Sequence, residues 1–184
     1  MEKECALAVI GMGSNLENRF DHLLFAARGL RELPESETPR FSTIYETAAI
    51  DCPEPLPFLN AVACLRTRLD PLALLHHLQR LERACGRARP YRHAPRTLDL
   101  DLLLFGDRVL ALRELELPHP RLHERLFVTT PLAELAGDVR HPVLACSMAE
   151  IDGRLRASLV GTPGTLEPDD VVHKSRYHWP ASFA

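Results

Sequence analysis

The sequence predicts an α+β domain, an antiparallel sheet with helices packed on it. Three observations point there. Apolar or β-branched runs recur at Ala6–Ile10, Phe41–Thr47, Phe58–Thr67 and Thr97–Phe105. Segments with helical spacing, Phe20–Leu30 and Leu74–Cys85, fall after the first and third runs. The 184 residues are 46% hydrophobic and 26% charged, which allows one compact core.

Ala6–Ile10 is a continuous apolar run and reads as a buried strand. Gly11-Met12-Gly13-Ser14-Asn15 reads as a small-residue turn leading into a helix, whose apolar stripe is Phe20, Leu23, Leu24, Ala27 and Leu30. Pro34 and Pro39 close that helix. Phe41–Thr47 is rich in β-branched and aromatic residues, so it is the second strand. Pro53, Pro55 and Pro57 make Ala48–Pro57 a surface loop. Phe58–Thr67 is the third strand, with Leu59, Ala61, Ala63 and Leu65 on one face.

Asp70-Pro71 opens the second helix as N-cap and first-turn proline, and Gly86 stops it. An arginine-rich loop follows. Thr97–Phe105 is the fourth strand, and its apolar run Leu102–Leu104 predicts a central position in the sheet. Gly106-Asp107 turns into Val109–Leu112, an extra hairpin. The order β-α-β-β-α-β is the ferredoxin-like arrangement. Short helices are expected near Arg121–Arg125 and Pro131–Ala136, and residues from Gly161 onward show no periodicity.

A formal net charge of −3 argues against a general nucleic-acid coat protein. Cys5, Cys52, Cys64, Cys85 and Cys146 are odd in number and form no CxxC pair, so reduced thiols in the cytoplasm are expected. Met1–Cys5 has no leader-like apolar stretch, and no run approaches the roughly 18 apolar residues of a membrane span. The expected partners are therefore neither membrane nor nucleic acid.

In Thr97–Leu102 the leucines 98, 100 and 102 take one face and Asp99 and Asp101 the other. Carboxylates two residues apart on a strand stand about 7 Å apart along the backbone, so both reach one centre. Two hard oxygen ligands on a rigid strand suit Mg²⁺, which takes the rest of its shell from water and substrate phosphates. The bland alternative is an amphipathic strand with a solvated face. Just upstream stand Arg80, Arg83, Arg87, Arg89, Arg92 and Arg96 with one acid, Glu82. Guanidinium forks match phosphate oxygens, which suggests a metal–polyphosphate site beside the acidic pair; a solvated basic loop pairing with acids elsewhere is an equal alternative for the loop alone. RNA binding is less supported, because only Tyr91 interleaves as an aromatic. Neither GxxxxGK[ST] nor GxGxxG is present.

Gly13-Ser14-Asn15-Leu16, Phe58-Leu59-Asn60-Ala61, Pro95-Arg96-Thr97-Leu98-Asp99-Leu100-Asp101 and Leu117-Pro118-His119-Pro120, in this order, resemble the 6-hydroxymethyl-7,8-dihydropterin pyrophosphokinases. The resemblance spans roughly residues 6 to 140. It implies a ferredoxin-like enzyme of folate biosynthesis that moves the β,γ-diphosphate of ATP, its co-substrate, onto a reduced pterin and releases AMP. It implies two Mg²⁺ ions on Asp99 and Asp101, and Arg87 and Arg96 gripping the triphosphate. Around the nucleotide it implies Leu75, Gln79, Glu82, Arg89, Leu102, His119 and Arg125. For the pterin it implies Thr47 and Asn60 as hydrogen-bonding residues, Phe58 and Phe127 as the ring sandwich, and Ile50 as a backbone contact.

Departures from the family pattern are His93 for a tryptophan, Phe58 for a tyrosine, Pro120 for a tyrosine, and Ala48-Ala49 for prolines. Residues 1–160 are expected to form the pyrophosphokinase domain and 161–184 a C-terminal tail, whose Trp179 packs back on the body or mediates assembly. A monomer is expected, with a dimer as the alternative. Three competing readings stay open: a zinc site from His119 and His123, a Mg²⁺-dependent phosphohydrolase, and a non-catalytic binding module.

Overall fold

A computed structural model describes residues 4–16, 18–48, 56–86, 97–159 and 172–183. The elements run β1 (Ala6–Ser14), α1 (Arg19–Arg31), β2 (Arg40–Phe41), β3 (Tyr45–Thr47), β4 (Phe58–Thr67), α2 (Pro71–Ala84) and β5 (Asp99–Phe105). The β6–β7 hairpin (Leu110–Ala111, Glu116–Leu117), a 3-10 turn at Leu122–Glu124, α3 (Leu126–Ala136), α4 (Met148–Leu159) and β8 (Val172–Lys174) complete them, with a last 3-10 turn at Ala181–Phe183. The main sheet has the order β5-β1-β4-β3-β8, all antiparallel, with β2 also on β4. The first four of these strands are the ferredoxin-like core, and β8 extends it.

The sheet lies between two helical layers. Ala8, Ile10, Leu59, Ala63, Leu100 and Leu102 face α1 and α2 through Leu23, Leu30, Leu74 and Leu78. Val9, Val62, Cys64, Leu103 and Leu104 face α3 and α4 through Val128, Leu132, Met148 and Ile151. Each fully buried Leu or Ile contributes roughly 1.5–3 kcal/mol, so both layers anchor the sheet. Among the described residues, no helix is long and apolar enough to cross a membrane.

The α2 boundaries follow the sequence signals. Asp70 accepts the Leu72 amide at 3.0 Å, Pro71 takes the first turn, and Gly86 follows the helix with φ of +79°. Five expectations need correction. Gly11–Ser14 is not a turn: β1 runs on to Ser14, because β4 and β5 flank it and supply pairing partners on both sides. Phe41–Thr47 is not one strand but two, split by a bulge. The fourth strand is at the sheet edge, not central. Its burial comes from helices on both faces, and from His119, whose amide donates to the Leu103 carbonyl at 2.9 Å. The hairpin pairs β6 with β7 rather than folding back on β5.

The third helix starts at Leu126, not Pro131: the bond lost at proline is outweighed by burial of Leu126, Val128 and Leu132. Sequence reading also missed α4. Its start carries a capping box, in which the Ser147 amide donates to Glu150 Oε2 at 2.8 Å and the Glu150 amide to Ser147 Oγ at 3.2 Å.

Candidate active site

The α3–α4 layer covers only part of its sheet face. The remainder is built around Gly13. This residue pairs with Asn60 of β4 on one side and Asp99 of β5 on the other, so all three share a face. A β-carbon on Gly13 would stand 3.1 Å from Asn60 Oδ1, 3.9 Å from the Phe58 ring and 4.0 Å from Asp99 Cβ. Glycine therefore leaves a floor where the amide, the aromatic ring and the carboxylate meet. Gly11 pairs with Asp101, but a β-carbon there would meet the Leu103 side chain at 3.3 Å. Alternation in β5 is as expected: Leu98, Leu100 and Leu102 are buried towards α1 and α2, while Asp99 and Asp101 are half-buried on the opposite face.

Asn60 and Thr47 are buried, and Asn60 Nδ2 donates to Thr47 Oγ1 at 2.8 Å. That bond fixes the amide and leaves the Asn60 oxygen as an acceptor. Phe127, at the start of α3, packs beside Tyr45, Leu126 and Val172, and the Arg125 guanidinium lies over its ring, 5.5 Å from the centroid. Arg125 also feels Asp99 and Asp101. Burial and the neighbouring Arg121 lower its pKa, while the two carboxylates act to raise it. Burial likewise lowers the pKa of His119, against the pull of Asp101 and Asp99. His119 Nδ1 accepts the Arg121 amide at 3.2 Å, so a neutral ring carries its proton on Nε2. Asp99, Asp101, His119 and Arg125 thus form one electrostatic group. Arg121 belongs to it and was not singled out from sequence, although its place between His119 and Arg125 was a signal.

Leu75, Gln79 and Glu82 share one stripe of α2, the helix packed along β5. Glu82 is buried and its Oε1 accepts the Leu100 amide at 2.9 Å, which ties the helix to the start of the aspartate strand. The Leu102 side chain is core, turned away from the aspartates. Arg87, Arg89, Arg96 and Ile50 lie outside the described residues. His119 and His123 do not share a regular helix turn, because only Leu122–Glu124 is helical there, as a 3-10 turn. Among the described residues, no cluster of three or more His, Cys, Asp or Glu side chains could hold a metal. A cation on Asp99 and Asp101 would complete its shell with water and phosphate, which is Mg²⁺ chemistry rather than zinc chemistry.

Residues 9–137 match the family model of 7,8-dihydro-6-hydroxymethylpterin-pyrophosphokinase. The chain belongs to this family. The 2-amino-4-hydroxy-6-hydroxymethyldihydropteridine pyrophosphokinase of Pseudomonas aeruginosa is 41% identical over 133 residues, covering 72% of this chain and 82% of that protein. The Synechocystis enzyme of the same name is 35% identical over 176 residues, covering 92% and 90%. A solved Plasmodium falciparum HPPK-DHPS superposes with a TM-score of 0.72 over 93% of this chain at 14% identity, a likeness of fold. This chain spans 47% of that longer one. The pyrophosphokinase match ends at Gly137, so α4 and β8 lie beyond it.

Proposed function

We propose that this chain transfers the β,γ-diphosphate of ATP to 6-hydroxymethyl-7,8-dihydropterin, giving AMP and the pterin diphosphate in folate biosynthesis. The observation that carries the reading is the register across β1. Asn60 and Asp99 flank Gly13, so an amide suited to a pterin edge and a carboxylate suited to a phosphate-bound cation stand two strand spacings apart, about 10 Å. That span fits a small heterocycle meeting a polyphosphate.

In this reading the pterin ring sits between Phe58 and Phe127, with Thr47, Asn60 and the backbone at Ile50 on its rim. Asp99 and Asp101 hold two Mg²⁺ ions, which supply charge neutralisation for the phosphates. Arg87 and Arg96 grip the triphosphate, and Leu75, Gln79, Glu82, Arg89, His119, Arg125 and the backbone, not the side chain, of Leu102 surround the nucleotide. Phosphoryl transfer needs positioning and neutralisation more than a strong base, and the half-buried carboxylate–guanidinium group supplies both. The enzyme is a monomeric cytoplasmic protein acting on small molecules; residues 1–160 carry every proposed contact to substrate and metal, and the C-terminal segment supplies β8 to the sheet.

The test is chromatography of nucleotides after incubation with ATP, Mg²⁺ and the reduced pterin. AMP appearing only with the pterin is the expected result. ADP, or phosphate release without pterin, would mean a different reaction.

A further inference from the structure

The C-terminal segment holds the strand that carries Thr47. Phe41 pairs with Ala63 and Tyr45 with Asn60, so Ser42, Thr43 and Ile44 stand opposite only Val62 and Ala61. One extra residue on one strand is a β-bulge, and it reverses the face taken by every later side chain. Phe41 accordingly packs on the α1 side, against the Trp179 ring at 4.9 Å. Tyr45 and Thr47 share the opposite face with Asn60. Without the bulge, Thr47 would point towards α1.

Three sets of bonds hold this bulge. Ser42 exchanges bonds with Val62: its amide donates to the Val62 carbonyl, and its Oγ accepts the Val62 amide, both at 2.9 Å. Glu134 of α3 accepts from the Thr43 hydroxyl and the Tyr45 hydroxyl, both at 2.6 Å. The outer edge belongs to the C-terminal segment. Trp179 Nε1 donates to the Ser42 carbonyl at 2.7 Å, the Ser175 amide donates to the Ile44 carbonyl at 2.9 Å, and β8 pairs along Tyr45–Thr47. Tyr177 stacks on Phe20 of α1 at 4.9 Å, which anchors the segment to the body.

We infer that Trp179 is a positioning residue for the pterin subsite. By holding the Ser42 carbonyl it fixes the bulge that keeps Thr47 on the face of Asn60. The inference rests on the pterin reading above.

The experiment measures KM for the pterin and for ATP, and kcat, by AMP release from the full chain. Trp179→Ala raises the pterin KM about tenfold and leaves the ATP KM within about twofold. Trp179→Phe keeps a ring against Phe41 but loses the indole donor, and raises the pterin KM about threefold. In a Thr47→Ala background the Trp179→Phe change adds nothing, because the effect runs through Thr47. Equal rises in both KM values, or a fall in kcat with both unchanged, overturn the positioning role. If Trp179→Ala does not fold, an unchanged pterin KM in Trp179→Phe overturns it alone. An unaltered chain that makes no AMP overturns the pterin reading and this role with it, whereas an active chain with insensitive variants overturns only the role.

Discussion

Strands β5 and β3 flank the central β1–β4 pair, and each carries part of the proposed site. Each also involves a one-residue bulge, but at different places. In β5 the extra residue is Leu103: Val9 pairs with Leu104 and Ile10 with Leu102. It comes after the aspartates, so simple alternation from Leu98 assigns Asp99 and Asp101 their face correctly. In the β2–β3 stretch the bulge comes before Thr47, and alternation counted from Phe41 puts Thr47 on the wrong face. The period of two is trustworthy only up to the first bulge, and a bulge is held by partners distant in sequence.

The two sides should also fail differently. Asp101→Ala has the largest expected effect: kcat falls about a thousandfold or more if, as proposed, Asp101 is a ligand of a phosphate-bound cation. Isothermal titration with Mg²⁺ and a non-hydrolysable ATP analogue should show weakened joint binding, and near-normal turnover would remove β5 from the chemistry. Asn60→Ala acts on the other side. It leaves Thr47 and the pterin edge unpaired and raises the pterin KM by about ten- to a hundredfold, with the ATP KM little changed. A parallel rise in both would erase the distinction between the two strands.

Gly13→Ala sharpens the comparison, because its β-carbon meets both sides unequally. At 3.1 Å from Asn60 Oδ1 it forces the amide to shift, whereas at 4.0 Å from Asp99 Cβ it makes ordinary contact. Pterin KM should rise about fivefold and ATP KM stay put. The reverse pattern in steady-state kinetics would show that the floor belongs to the phosphate side.

The smallest effect belongs to neither strand. His141 is buried and its Nδ1 accepts the Val143 and Leu144 amides, which requires an unprotonated nitrogen. Burial, and then the neighbouring His123, lower its pKa below the usual 6.5. The folded state therefore binds this proton less readily than the unfolded chain. Stability is complete above about pH 6.5 and declines as pH falls through that value. Urea unfolding at several pH values should show this slope, flatter in His141→Gln. An unchanged slope would assign the dependence to other groups, His119 first.

Much of the molecule was legible in the chain. The bounds Phe58–Thr67 are those of β4, and Asp70, Pro71 and Gly86 bracket α2, because capping and turn chemistry act within a few residues. The alternation of Leu98, Leu100 and Leu102 with Asp99 and Asp101, followed by Leu103-Leu104, marked the aspartate strand from side-chain periodicity that is equally local. Ser147 and Glu150 were an equally local signal for α4 that went unread. The length of β1 was not legible. Glycine looks like a turn former until two flanking strands supply its bonds, and only then is Gly13 seen as a floor rather than a bend.

By itself, then, the sequence determined the βαββαβ core order, the ends of α2 and the face of the two aspartates, since each depends on neighbours a few residues away. The tertiary structure decided that β5 is an edge strand, that Asn60 and Asp99 meet across Gly13, and that Thr47 faces the same side. Those facts depend on pairing register and on contacts such as Trp179 to Ser42, which bring together residues far apart along the chain. No local propensity encodes such contacts, because their free energy appears only when the whole sheet assembles.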